Sequence, residues 1–217
     1  KDFHLLLKRT VHPDIEYFSM LKPLYEIQIS KIFSQLEQYH PAFVSCNKGR
    51  WCGKCSKCAF IYLSLYPYLD NDKLKKFIGN DMLDNKDMLG KYMELTGHKK
   101  HKPFECVGTI EENTIALKKC IEKSNKPYVN NYFDKNITLK DYDEDEYLNN
   151  YDENNLIPGH LKETVKNTIF KYLNNNNNNH HNNNVQEHYE NFVDYKDNYN
   201  LYIILLILLI IIIYLNK

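Results

Sequence analysis

An α/β layer is the fold class the sequence predicts for the first 126 of its 217 residues. Three observations predict it. Residues 1–9 (KDFHLLLKR) read as a strand with a charged exit, and residues 42–46 (AFVSC) read as a second short strand. An amphipathic helix lies between them, and a cysteine-rich loop with a further helix follows, so the order strand, helix, strand, metal loop, helix suggests a βαβ-like half of an α/β layer.

The elements follow in order. Ser19 stands ahead of Pro23, a capping residue before a proline suited to an early helical turn, and Ile29, Ile32, Phe33 and Leu36 recur at helical spacing. His40-Pro41 should stop that helix, and the 42–46 strand then delivers the first sulfur. Cys58 opens an apolar run at 59–65 (AFIYLSL) that ends near Pro67 and predicts a buried helix stapled at its start. Residues 72–78 and 87–95 predict short helices closed by Gly79 and Gly97. A basic turn at 97–102 (GHKKHK) runs into KPFECVG at 102–108, after which Thr109 and Glu112 have capping-box spacing and predict a helix over 110–123. Its N-terminal amides should face the 102–108 cluster, where an anion could dock. Cys120 shares a face with Leu117 and Ile121 and reads as core packing.

Beyond Lys126 the composition turns to Asn, Asp and Tyr, with an acidic stretch at 141–146 (DYDEDE) and an Asn/His tract at 174–184. Residues 127–200 therefore read as a largely disordered acidic and Asn-rich linker, carrying one isolated amphipathic helix at about 159–173 through Leu161, Val165, Ile169 and Tyr172. His180 and His181 read as part of a polar tract rather than as ligands. The terminus at 201–215 (LYIILLILLIIIIYL) is apolar throughout except for its tyrosines. As a helix it would be about 22 Å long, slightly short of a hydrocarbon core of about 30 Å. It reads as a transmembrane tail anchor, with a buried helix as the alternative.

Composition excludes some chemistry. Lys+Arg and Asp+Glu are equal at 28 each, yet residues 1–126 carry 21 basic and 15 acidic side chains, net +6, and the remainder carries 7 and 13, net −6. Seven glycines, none adjacent to another, leave no glycine-rich phosphate cradle. Nucleotide chemistry would need residues from elsewhere, and a first residue of Lys1 reads as a fragment. Nucleic-acid binding ranks last, because the basic turn lacks interleaved aromatics for a stacking surface.

Four of the six cysteines, Cys46, Cys52, Cys55 and Cys58, fall within thirteen positions. Crowding at two-residue gaps places sulfurs around one point rather than across a core, as a tetrahedral thiolate site requires at Zn–S distances of about 2.3 Å. Zinc is the first expectation, and a redox Cys-x-x-Cys pair is the alternative. Arg50, Lys54 and Lys57 flank the sulfurs and favour thiolate. A closed four-sulfur site leaves no position for substrate, so the zinc is structural.

The segments LKPLYE (21–26), YHP (39–41), SCN (45–47), WCGKCSKC (51–58) and KPFECVG (102–108), in that order, resemble the C-terminal half of the MurL family, the UDP-N-acetylmuramoyl-L-alanyl-L-glutamate epimerases. The knuckle also looks like that of 7-cyano-7-deazaguanine synthases. The resemblance covers about residues 1–120 and implies an ATP-pyrophosphatase-like layered fold with a four-cysteine zinc knuckle. It further implies an ATP- and Mg²⁺-dependent inversion of the terminal glutamate of a UDP-muramoyl peptide through an acyl-adenylate, in a cytoplasmic domain. The ATP-binding half would lie outside this chain. Glu105 and Cys106 are candidate acid and base, and Lys102, Arg9 and His12 are candidate contacts to a carboxylate or phosphate. Packing or capping is the alternative role for Glu105, Cys106 and Lys102, and Arg9 and His12 rank below them. The rival expectation is an inactive zinc-stapled binding module tethered to a membrane.

Overall fold

Apolar helices rather than strands make up the core. The structure, a computed structural model, describes residues 2–123 and 127–175. Every regular element among them is helical: α1 Asp2–Thr10, α2 Glu26–Ser34, α3 Ser56–Leu65, α4 Asn71–Ile78, α5 Leu89–Leu95, α6 Ile110–Glu122, α7 Tyr128–Asn136, α8 Glu144–Leu148 and α9 Gly159–Leu173. A six-residue 3₁₀ helix at Glu37–Ala42 precedes the knuckle, and a single 3₁₀ turn at Lys86–Met88 precedes α5.

The expected α/β layer, and with it an ATP-pyrophosphatase-like sheet, is therefore corrected to an all-helical fold over the described residues. The physical reason is visible at both supposed strands. Residues 2–9 hold Leu, Lys, Arg, Phe and His with no β-branched side chain before Thr10, and such a run favours helix. Asp2 in the first turn and Lys8 and Arg9 in the last suit the helix dipole. At 42–46 the backbone is extended at Phe43, with φ −84° and ψ 127°, but an extended segment without a paired neighbour is coil, not sheet.

Helix α3 is the centre. Cys58, Ala59, Phe60, Tyr62, Leu63 and Leu65 are each no more than 4% exposed, and a helix apolar all round must be covered on every side. The surrounding elements α2, α4, α5 and α6 provide that cover. Lys123, just after α6, donates from Nζ to the carbonyls of Tyr66 (2.5 Å), the C-cap of α3, and of Leu69 (3.1 Å) in the connection to α4. The expected helices at 72–78, 87–95 and 110–123 match α4, α5 and α6, and Gly79 closes α4 at φ 98°. The helix expected after Pro23 starts only at Glu26 and ends at Ser34, before Leu36 and well before Pro41.

Over the described residues 127–175 the chain packs on the core, and the helix expected at about 159–173 is α9. Val129 and Phe133 of α7 are fully buried, and Asn130 donates from Nδ2 to the Cys120 carbonyl at 2.7 Å. Helix α9 is not isolated: it lies along α2, buries Ile169 and Leu173, and its Tyr172 carbonyl accepts from Gln35 Nε2 at 2.9 Å. Among the described residues no helix is long and apolar enough to cross a membrane. The 201–215 segment, His180 and His181 lie outside the described residues.

Candidate metal centre

The knuckle is assembled by turns that glycine permits and by the start of α3. From the extended backbone at Phe43 the chain reaches Cys46, turns through a Gly49 N–H to Cys46 carbonyl bond of 3.1 Å, and returns past Trp51. Gly53 sits at φ 63°, between Cys52 and Cys55. Cys55 is the N-cap of α3, its sulfur accepting from the Cys58 amide at 3.4 Å. The Phe43, Trp51 and Phe77 rings wall the loop, with centroid separations of 5.8 Å from Phe43 to Trp51 and 5.3 Å from Trp51 to Phe77.

All four sulfurs lie within 4.8 Å of one another. Cys46 and Cys55 are 3.8 Å apart, Cys52 and Cys58 3.8 Å, and Cys55 and Cys58 3.4 Å. These are not disulfide distances, which are about 2.05 Å. A tetrahedron of sulfurs at about 2.3 Å from a central ion has edges of about 3.8 Å, so the quartet fits zinc. Cys46 and Cys58 are buried and Cys52 and Cys55 half-buried, which shields the centre.

The sulfurs differ in proton affinity. Burial works against ionisation at Cys52, yet the Lys54 amide and the Cys55 and Cys46 thiols, donating to its sulfur, bring it down to about 6. Burial and the neighbouring Cys55 push Cys58 up to about 12, and burial raises Cys55 as well. A dication binding at neutral pH must displace the protons on Cys55 and Cys58, so affinity falls as pH falls. At Cys52 the lowering by Lys54 comes from its backbone amide rather than from the side-chain charge expected of Arg50, Lys54 and Lys57.

The remaining candidate residues lie elsewhere on the surface. Glu105 and Cys106 are exposed and Lys102 half-buried on the loop before α6, while Arg9 and His12 are exposed at the end of α1. His12 Nδ1 accepts from the Asp14 amide at 3.3 Å. The α6 N-terminus that was expected to face an anion already holds one from its own sequence. Glu112 accepts from Thr109 N at 2.8 Å, Thr109 Oγ1 accepts from Glu112 N at 3.1 Å, and the capping box forms as its spacing implied. What the sequence did not reveal is that the other Glu112 oxygen accepts from Ile27 N of α2 at 3.2 Å, across 85 residues. Nearby, burial and the Glu112 charge raise the Glu26 carboxyl, against the pull of Lys57.

Gly108 fixes this junction. At φ 64° an added Cβ would lie 2.9 Å from the buried Phe60 ring, whereas at Gly49, φ 69°, it would meet nothing within 4 Å. Gly108→Ala is expected to cost about 2–4 kcal/mol, from left-handed strain plus overpacking, and Gly49→Ala about 1 kcal/mol from strain alone. Urea unfolding of the two variants measures the difference.

A family model described as the MurL C-terminal domain matches residues 37–145, a span that includes the four cysteines, the 98–109 loop and α6. Three curated relatives carry the name UDP-N-acetyl-alpha-D-muramoyl-L-alanyl-L-glutamate epimerase. The chain is similar to the one from Micromonospora sp., 38% identical over 109 residues (46% of this chain, 24% of the relative). It is similar to that of Xanthomonas oryzae pv. oryzae at 36% over 121 residues (51% and 27%), and to that of Salinispora tropica at 38% over 116 (50% and 25%). The chain thus spans about a quarter of the length of these relatives. No solved structure matches.

Proposed function

The chain belongs to the MurL C-terminal domain family, and from that membership we propose that it is the metal-stapled C-terminal portion of an epimerase of peptidoglycan precursor synthesis. The reaction is inversion of the terminal L-glutamate of UDP-N-acetylmuramoyl-L-alanyl-L-glutamate, in the cytoplasm. The family match over residues 37–145 carries the reading.

The chemical problem is an α-proton beside a carboxylate, whose loss would create a poorly stabilised dianion. Attack of that carboxylate on the α-phosphorus of ATP, with Mg²⁺, would release pyrophosphate, remove one negative charge and make the α-carbon more acidic, and hydrolysis after inversion would return the acid and AMP. That activation belongs to a nucleotide-binding portion, because this chain has no glycine-rich cradle. Within this chain Cys46, Cys52, Cys55 and Cys58 would hold a zinc in a structural role, since four thiolates would leave no position for substrate. Glu105 and Cys106, both exposed on the loop before α6, are the acid–base pair, one removing the α-proton and the other returning it. Lys102 on the same loop takes a carboxylate or phosphate, with Arg9 and His12 as further anion contacts.

The test assembles the chain with the nucleotide-binding portion of the Xanthomonas oryzae relative and supplies the muramoyl dipeptide and ATP in D₂O. AMP should form together with deuterium at the glutamate α-carbon, and Glu105→Gln or Cys106→Ala should slow turnover by roughly 10²–10⁴-fold. Absence of both products from an assembled, zinc-loaded protein would remove the reading. Full turnover in both variants would remove only the assigned pair.

A further inference from the structure

Residues 2–22 form defined structure without contributing to the core. Phe3, Leu6 and Leu7 share one face of α1 at helical spacing. The chain then returns, so that the Tyr17 ring meets the Phe3 ring edge-on at 4.9 Å and His4 Nδ1 accepts from Tyr17 N at 3.1 Å. Yet no residue from 2 to 22 is buried: Phe3 is 52% exposed, Leu6 53% and Tyr17 54%. Seven of the eleven exposed large apolar side chains among the described residues fall between Phe3 and Leu21, so they are gathered rather than scattered. Single exposed apolar groups are ordinary, whereas a gathered set marks a surface that another body covers.

The length of the helix strengthens this. Isolated helices shorter than about 12–15 residues are marginal in water, and most helical stability in proteins comes from packing an apolar face. Helix α1 has nine residues and none of them is buried, so the cover for its face is not supplied by the core around α3.

Its place in the chain identifies the occupant. The family match starts at residue 37 and is to a C-terminal domain, so α1 stands on the side of that domain where the relatives carry the rest of their length. The matched stretch covers 24%, 27% and 25% of the three relatives, which leaves about three quarters of each. A lipid surface fits less well, because Asp2, Asp14 and Glu16 balance Lys8, Arg9 and Lys22 and leave no basic excess to favour an anionic membrane.

We propose that the apolar face of α1, together with Tyr17, is the seat on which the preceding, nucleotide-binding portion of the epimerase docks. This rests on the reading above, which supplies that portion. It gives residues 2–22 a role that neither the zinc nor the acid–base pair requires.

The test compares the full zinc-loaded chain alone with the same chain joined behind the nucleotide-binding portion of the Xanthomonas oryzae relative, following amide hydrogen exchange in peptides from residues 2–22. Exchange there is expected to slow about tenfold or more on joining, while peptides from α3 keep their rates. Phe3→Ser combined with Leu6→Ser should abolish that protection in the joined protein. Because both side chains are exposed, the same pair should move the melting temperature of the chain alone by no more than about 2 °C. Phe3→Leu combined with Leu6→Met should keep the protection. Equal exchange in the two proteins overturns the proposal, and so does protection that survives the serine pair. Protection already present in the chain alone and rising with its concentration would seat a second copy on α1, and protection gained only on phosphatidylglycerol vesicles would assign the face to a membrane; either overturns it. Failure of epimerisation with α1 protected removes the proposed reaction and not the docking face, whereas epimerisation with α1 unprotected removes the docking face and not the reaction.

Discussion

Replacing Cys55 by serine is expected to strip the zinc from the chain and leave residues 2–175 largely unfolded at 37 °C. The substitution is informative because serine also caps helices well, so the α3 N-cap survives and the loss falls on the metal. Cys55 lies 3.8 Å from Cys46 and 3.4 Å from Cys58, so its removal opens the quartet at the vertex that joins the first loop to α3. Structural zinc sites hold about 10–16 kcal/mol of apparent binding free energy in small peptides at neutral pH. A domain's whole stability is about 5–15 kcal/mol. The metal term is therefore comparable to the total, and α3, the helix on which α2, α4, α5 and α6 pack, loses its anchor. Trp51, the single tryptophan, adjoins Cys52 and packs between Phe43 and Phe77, so its emission should shift to the red as helical ellipticity falls. A variant that melts within a few degrees of the parent would show that the sulfurs do not staple the fold.

Glu112→Ala should be the most damaging single change away from the knuckle, at about 3–5 kcal/mol. Glu112 is 4% exposed and its two oxygens accept from Ile27 N and Thr109 N, so truncation leaves the buried Ile27 amide without an acceptor, at about 1–3 kcal/mol, and opens the capping box at the exposed Thr109, at about 0.5–2 kcal/mol. The carboxylate also stands at the first turns of both α2 and α6, where two helix dipoles favour its charge. Glu112→Gln keeps an acceptor but loses the charge and should cost about 1–2 kcal/mol. Urea unfolding at neutral pH distinguishes the two, and equal stability of Glu112→Ala and the parent would contradict the double-cap assignment.

The parts that could be read from sequence are those whose signals are local. The cysteine spacing, the apolar run after Cys58, the Gly79 stop and the Thr109–Glu112 box each specify their geometry within a few residues, and each has its counterpart in the structure. The supposed strands failed for a different reason. A short apolar run such as LLL at 5–7 carries no period long enough to separate helix from strand, and in AFVSC Ala42 closes a 3₁₀ helix while Phe43 is extended without a partner to pair with. Helix α7 was hidden by composition: Asn and Tyr dominate residues 128–136, yet Val129 and Phe133, four apart, suffice to seat it against the core. The second bond of Glu112 joins segments 85 residues apart, and no local pattern encodes it. The same holds for Gln28, whose Nε2 donates to the Leu148 and Asn150 carbonyls at 2.9 and 2.8 Å.

X-ray absorption at the zinc edge, combined with elemental analysis of the folded chain, bears most directly on the idea that four sulfurs around one ion hold this helical unit together. One zinc per chain with four sulfur neighbours at about 2.3 Å is the result that follows from the observed quartet. A folded chain without metal, or an ion with nitrogen or oxygen in place of any of the four sulfurs, would contradict it.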